Sequence, residues 1–87
     1  MSSIHDPRYK QLIDKLIRIR ELKEVTQVEL ASRLKKPQSY VAKIENLDRR
    51  IDILELMDWL ECLNSNIYEL LKQIREPFLT LVEKQKS

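Results

Sequence analysis

Apolar residues recur along this chain at intervals of three and four, which lines up one side of an α-helix rather than the alternating face of a strand. Leu12, Ile13, Leu16, Ile17, Ile19 and Leu22 form the first such face. Asp6-Pro7 precedes it: an acceptor to cap the helix, then proline at the first helical position, where a missing N–H does no harm. Lys15, Arg18, Arg20 and Lys23 occupy the other sides, and the helix is predicted to end near Lys23. Thr26-Gln27-Val28-Glu29 is a capping box, in which the Thr26 hydroxyl accepts from the Glu29 N–H and the Glu29 carboxylate reaches back. It opens a second helix to about Leu34, with Leu30 and Leu34 inward and Ala31 beside them. A third helix starts at Pro37 or Gln38 and ends at Glu45 or Asn46. Its Val41 and Ile44 face inward, while Gln38, Ser39, Ala42 and Lys43 lie away from them.

The polar stretch 46–52 predicts a loop, and Asp52 a cap for a fourth helix, Ile53 to Leu63. That helix carries Ile53, Leu54, Leu56, Met57, Trp59, Leu60, Cys62 and Leu63, more apolar surface than one stripe needs. It is either central or faces a partner as well as the core. Asn64-Ser65-Asn66 caps a fifth helix through about Ile74, on which Tyr68 and Leu71 serve the core or a dimer contact. Pro77 starts a short sixth, with Phe78, Leu81 and Val82 on one face. The expectation is therefore an all-α single domain, 1–87, with a core at about 9–74 and a helical extension at 75–87.

Composition narrows the function. A chain of 87 residues with 34% charged and 43% apolar residues is globular rather than disordered, yet small enough that oligomerisation would help its core. Net charge is only +2, but it is divided: residues 1–50 hold 12 Lys/Arg against 7 Asp/Glu, and residues 51–87 hold 4 against 7. A basic first part suits a polyanion and an acidic second part suits something else. Cys62 is the single cysteine and His5 the single histidine, so neither a disulfide nor zinc spacing is available, and Cys62 reads as a core filler. There is no Gly-rich phosphate loop, no Ser/His/Asp set and no carboxylate cluster with a histidine. No enzyme, cofactor or metal is expected. The polar N-terminus and the lack of a long apolar run predict a soluble, cytoplasmic protein without a membrane partner.

Two helices of about eight residues cannot stand alone. Joined by a turn of three or four residues, they form a helix-turn-helix. Close crossing needs a small residue on the first helix, supplied by Ala31, and apolar residues on the second, supplied by Val41 and Ile44. Residues 26–46 thus resemble the helix-turn-helix of the phage repressor and Cro family, including the small Xre-like bacterial regulators. The positions that carry the likeness are Thr26-Gln27, Glu29-Leu30-Ala31, Gln38-Ser39, Val41 and Ile44-Glu45, and the whole likeness covers about residues 9–74.

The resemblance implies a compact five-helix, lambda-repressor-like fold and binding to double-stranded DNA. It implies base reading in the major groove by the start of the third helix: Gln38, Ser39, Ala42 and Lys43, with Pro37 at the edge. Glutamine suits adenine and lysine suits guanine or a phosphate. Phosphate contacts are implied for Gln27, and expected of Lys36, Tyr40, Asn46, Arg49 and Arg50, the tyrosine through its hydroxyl. It also implies a structural ion pair between Arg20 and Glu45. Where relatives often have glycine at the turn, with φ > 0, this chain has Lys35, at a cost of about 1 kcal/mol.

Homodimerisation is expected, through candidates Trp59, Leu63, Ile67, Leu71, Phe78 and Val82, although Trp59 reads first as a core residue. A transcription regulator, repressing and controlling its own promoter, is the leading expectation. An antitoxin-type protein that binds a partner toxin through its C-terminal part is the alternative. A helix-turn-helix that has lost DNA binding is a third, opposed by Lys43 and the surrounding Lys and Arg residues.

Overall fold

The computed structural model describes residues 4–74, and among these it has helices and no strand. The helices are α1 (Pro7–Leu22), α2 (Gln27–Leu34), α3 (Gln38–Glu45), α4 (Ile53–Cys62) and α5 (Ile67–Gln73). Each expected cap is present. Asp6 accepts from the Arg8 N–H at 2.8 Å, Thr26 and Glu29 form the reciprocal box, and Asn66 accepts from the Glu69 N–H at 2.9 Å. Asp52 makes a second box with Glu55, beyond the single cap the sequence suggested.

The ends of the first four helices share a device. Glu24, Lys35, Leu47 and Asn64 all take left-handed backbone angles, with φ of 58°, 58°, 65° and 53°. In each case the next residue's N–H returns to a carbonyl five positions back. Val25 donates to Arg20, Lys36 to Ala31, Asp48 to Lys43 and Ser65 to Leu60, at 2.8–3.1 Å. These are Schellman turns, built here without a single glycine. Lys35 is the one the sequence reading anticipated.

α2 packs on α3 and α4, while α1 packs on α5 and α3. Ala31, Leu30, Val41 and Ile44 are buried where α2 crosses α3. The core also takes in Tyr9, Val25, Ile51, Leu70 and Ile74. Tyr9 earns its position through its hydroxyl, which accepts from the Ile51 N–H at 3.1 Å and ties α1 to the start of α4.

Three expectations are corrected. Leu22, placed on the inner face of α1, is 64% exposed, because the helix ends there and the chain turns away. Trp59 and Leu63, offered as dimer contacts, are 0% and 1% exposed. They fill the centre of the domain and present no surface to a second copy. The buried Trp59 Nε1 has no hydrogen-bond partner among the described residues, which marks this indole as volume rather than as a polar contact. The apolar excess on α4 is nevertheless real: Ile53, Leu54 and Met57 are exposed, as are Ile67, Tyr68 and Leu71 on α5. Phe78, Val82 and the expected sixth helix lie outside the described residues. No described helix is long and apolar enough to cross a membrane.

Candidate nucleic-acid interface

The turn between α2 and α3 is made by Lys35 in the left-handed conformation and by Pro37, whose φ of −69° and ψ of 154° set the entry to α3. Pro37 is the N-cap and gives α3 no side-chain cap. The Tyr40 N–H returns to the Pro37 carbonyl at 3.0 Å, and the Gln38 and Ser39 N–H groups before it are left to solvent or a ligand. Gln38, Ser39 and Lys43 are exposed and Ala42 is half-buried, on the side opposite buried Val41 and Ile44. The four residues expected to read bases thus lie together along one side of one short helix.

Behind that helix Arg20 and Glu45 meet as a bidentate pair. Arg20 Nε donates to Glu45 Oε2 at 2.7 Å and Nη2 to Oε1 at 3.0 Å. The third arm of the guanidinium, Nη1, donates to the Val25 carbonyl at 2.9 Å, locking the α1–α2 turn into the same group. The side chains are 13% and 4% exposed. Gln27, expected at a phosphate, donates an amide hydrogen to Glu45 Oε1 at 2.8 Å. One Gln27 N–H is thereby committed and the amide is held in a fixed direction, with its second N–H still to be placed.

The flank of α3 is organised around Tyr40. Its hydroxyl donates to Glu55 Oε2 at 3.1 Å, so its single hydrogen is committed within the protein. That removes the hydroxyl as a phosphate donor in this state and corrects the expected role. The ring does something else: Lys36 Nζ lies 5.5 Å and the Arg49 guanidinium 5.0 Å from its centroid. A turn residue and a loop residue, both expected at phosphates, are gathered on one aromatic platform. Arg49 also forks onto Glu55, Nη1 to Oε1 at 3.2 Å and Nη2 to Oε2 at 2.9 Å. Arg50 turns elsewhere, with its guanidinium 4.8 Å from the Tyr9 ring on α1. Asn46 is exposed and ends α3 through its backbone N–H.

Glu55 is the residue the sequence reading missed. It accepts from Arg49, Tyr40 and the Asp52 backbone N–H. The hydrogen bonds from Arg49 and then the Asp52 N–H hold its carboxyl down at about 2, so it stays ionised at any physiological pH. Burial, followed by the bond to Glu55, pushes the Tyr40 phenol up to about 12. The signal available in the sequence was Asp52-x-x-Glu55, a second capping-box spacing. Burial also pushes the half-buried Cys62 thiol up, away from thiolate chemistry. No group of ligands suited to a metal ion occurs among the described residues.

The comparisons agree with this geometry. The family model for the helix-turn-helix matches residues 16–70. A solved structure, an XRE-family like protein from Pseudomonas syringae pv. tomato str. DC3000, is 42% identical with a TM-score of 0.77, over 84% of this chain and 89% of that one. No curated protein matches the chain. The family model takes in well over half of the sequence and the solved relative is similar along most of its length, so the chain belongs to the Cro/C1-type, Xre-like helix-turn-helix family of DNA-binding transcription regulators.

Proposed function

We propose that this protein is a sequence-specific regulator that represses transcription, including its own, by setting the start of α3 into the major groove as a homodimer. The observation that carries the reading is the exposed Gln38, Ser39 and Lys43 row on a helix whose opposite side is buried and pinned. A glutamine amide pairs with adenine N6/N7, and a lysine donates to guanine O6/N7. Gln27, Lys36 and Asn46 supply backbone contacts around that row, which orient the helix without reading sequence, while Arg49 is engaged by Glu55. Arg50 joins them only by leaving the Tyr9 ring.

One such helix reads a few base pairs; two related by a two-fold axis read half-sites about 34 Å apart. Ile67 and Leu71 remain as the surface for that pairing, and the exposed Met57 takes the place of Trp59 and Leu63. The test is fluorescence anisotropy with a duplex from immediately upstream of the gene, across a salt series, for wild type and Gln38→Ala. Tight binding with a steep inverse salt dependence is expected, and the variant should lose roughly 1–3 kcal/mol of discrimination against random DNA. Binding no stronger to that duplex than to random DNA would remove autoregulation. Absence of salt-dependent affinity for any DNA would remove the DNA-binding reading.

A second reading rests on the same exposed apolar residues of α4 and α5, which lie beside exposed Asp58 and Glu61. An apolar surface edged by carboxylates also suits a basic partner protein, as in an antitoxin holding its toxin. Co-expression with a neighbouring open reading frame, followed by co-purification, separates this from self-pairing.

A further inference from the structure

Arg49 has an unusual position for a DNA-backbone ligand. Its guanidinium lies on the ring of Tyr40, a residue in the first turn of α3. Yet its donors point into the protein. Nη1 serves both the Arg50 carbonyl at 2.9 Å and Glu55 Oε1, and Nη2 serves Glu55 Oε2. A carboxylate that forks onto arginine offers the same two-oxygen geometry as a phosphate. Glu55 is held in place for this by three other groups: the Asp52 N–H, the Tyr40 hydroxyl and its own backbone N–H bonded to Asp52.

We propose that Glu55 is a built-in stand-in for a DNA phosphate at Arg49, which withholds that cation from sequence-independent contact with the DNA backbone. The inference rests on the DNA-binding reading above and adds a role for a residue outside the reading helix. Non-specific binding comes almost entirely from cations that displace counterions from phosphates. A cation already neutralised by its own protein contributes little to it. Base contacts from Gln38 and Ser39 do not use Arg49, so the carboxylate lowers the background without weakening the readout. The pair is exposed enough to be exchangeable, with side chains 43% and 23% accessible, so Glu55 competes with DNA rather than sealing Arg49 off. Lys36, on the same ring, remains to engage the backbone.

The experiment is a thermodynamic cycle on the full chain: wild type, Glu55→Gln, Arg49→Ala and the double variant, titrated with a random-sequence duplex over a salt series. Glutamine keeps an oxygen for the Asp52 N–H while removing the charge, and a thermal melt of each variant checks folding. Glu55→Gln should bind random DNA roughly two- to fivefold more tightly, the equivalent of freeing one exposed ion pair. Its log–log salt slope should steepen by about 0.9, one additional phosphate. Arg49→Ala should leave wild-type affinity for random DNA nearly unchanged, and the double variant should show no gain over Arg49→Ala. The proposal is overturned if the gain persists without Arg49, since that is a general charge effect, or if folded Glu55→Gln binds no better. A full 0.9 loss of slope in Arg49→Ala alone also overturns it, whatever Glu55→Gln does. Failure of the DNA-binding reading looks different: wild type itself would then show no salt-dependent affinity.

Discussion

Two arginine–carboxylate pairs flank the same short helix, and they are made from the same chemistry to opposite ends. Arg20–Glu45, behind α3, and Arg49–Glu55, at its flank, are both two-pronged, with N–O distances of 2.7–3.2 Å. The first is almost closed to water and the second is open to it. The buried pair also holds Val25 and Gln27, so it couples α1, the α1–α2 turn, α2 and α3. Burial makes such a pair costly to break, because one partner is stranded as an unpaired charge. Exposure makes the other cheap to exchange, because water and ions replace either partner. The geometry of an ion pair therefore says little about its role; its access to solvent decides whether it is a rivet or a clasp.

Breaking the rivet should have the largest effect. Glu45→Ala strands Arg20 and should cost about 3 kcal/mol, the low end for a buried pair, measured by urea denaturation. A loss below about 1 kcal/mol would mean that the two pairs do not differ. Gln27→Ala comes next. It removes one hydrogen bond to a charged group and should cost about 1–2 kcal/mol of stability. The phosphate contact proposed for it predicts a loss of DNA affinity shared by all sequences, with the salt slope little changed, because a neutral amide releases no counterion.

Acid sharpens the comparison from the other side. The folded value of Glu55, about 2, lies below its ordinary 4.5. Its contribution is thus fully present above about pH 4.5 and is lost as pH falls towards 2. Glu55→Gln should cost less than about 1 kcal/mol at neutral pH and should shrink the acid-induced loss in that window, read from melts at each pH. The smallest effect is expected at Lys35→Gly, outside both pairs. Relief of a left-handed lysine is largely offset by the entropy of glycine, so stability should rise by no more than about 1 kcal/mol.

Much of this architecture is legible in the sequence, for local reasons. Thr26–Glu29, Asp52 and Asn66 cap helices within a few residues of themselves, so their roles need no knowledge of the fold. The row Gln38, Ser39, Lys43 follows once Val41 and Ile44 are known to face inward. The pairing of Arg20 with Glu45 is legible only through family resemblance, since 25 residues separate them. What escapes is what depends on three dimensions. Leu22 looks like a core residue until the helix ends beneath it, and Leu63 looks available to a partner until the neighbouring helices close over it, whereas Trp59 is the core residue its size suggests. Tyr40 offers a hydroxyl to DNA on paper, but Glu55, 15 residues away, takes it.

The four glycine-free turns bear on the chain before it folds. A left-handed residue with a side chain costs about 1–2 kcal/mol relative to its relaxed conformations, and Glu24, Lys35, Leu47 and Asn64 each hold one. Glycine at those points would relieve the native state but would also widen the denatured ensemble, since glycine gives up the most backbone freedom on folding. This sequence takes the other course. Its unfolded form is a comparatively stiff chain with fewer states to abandon, and its native form carries a little tension at every corner. At each corner the narrower disordered state roughly offsets the tension of the ordered one, so the exchange is close to neutral.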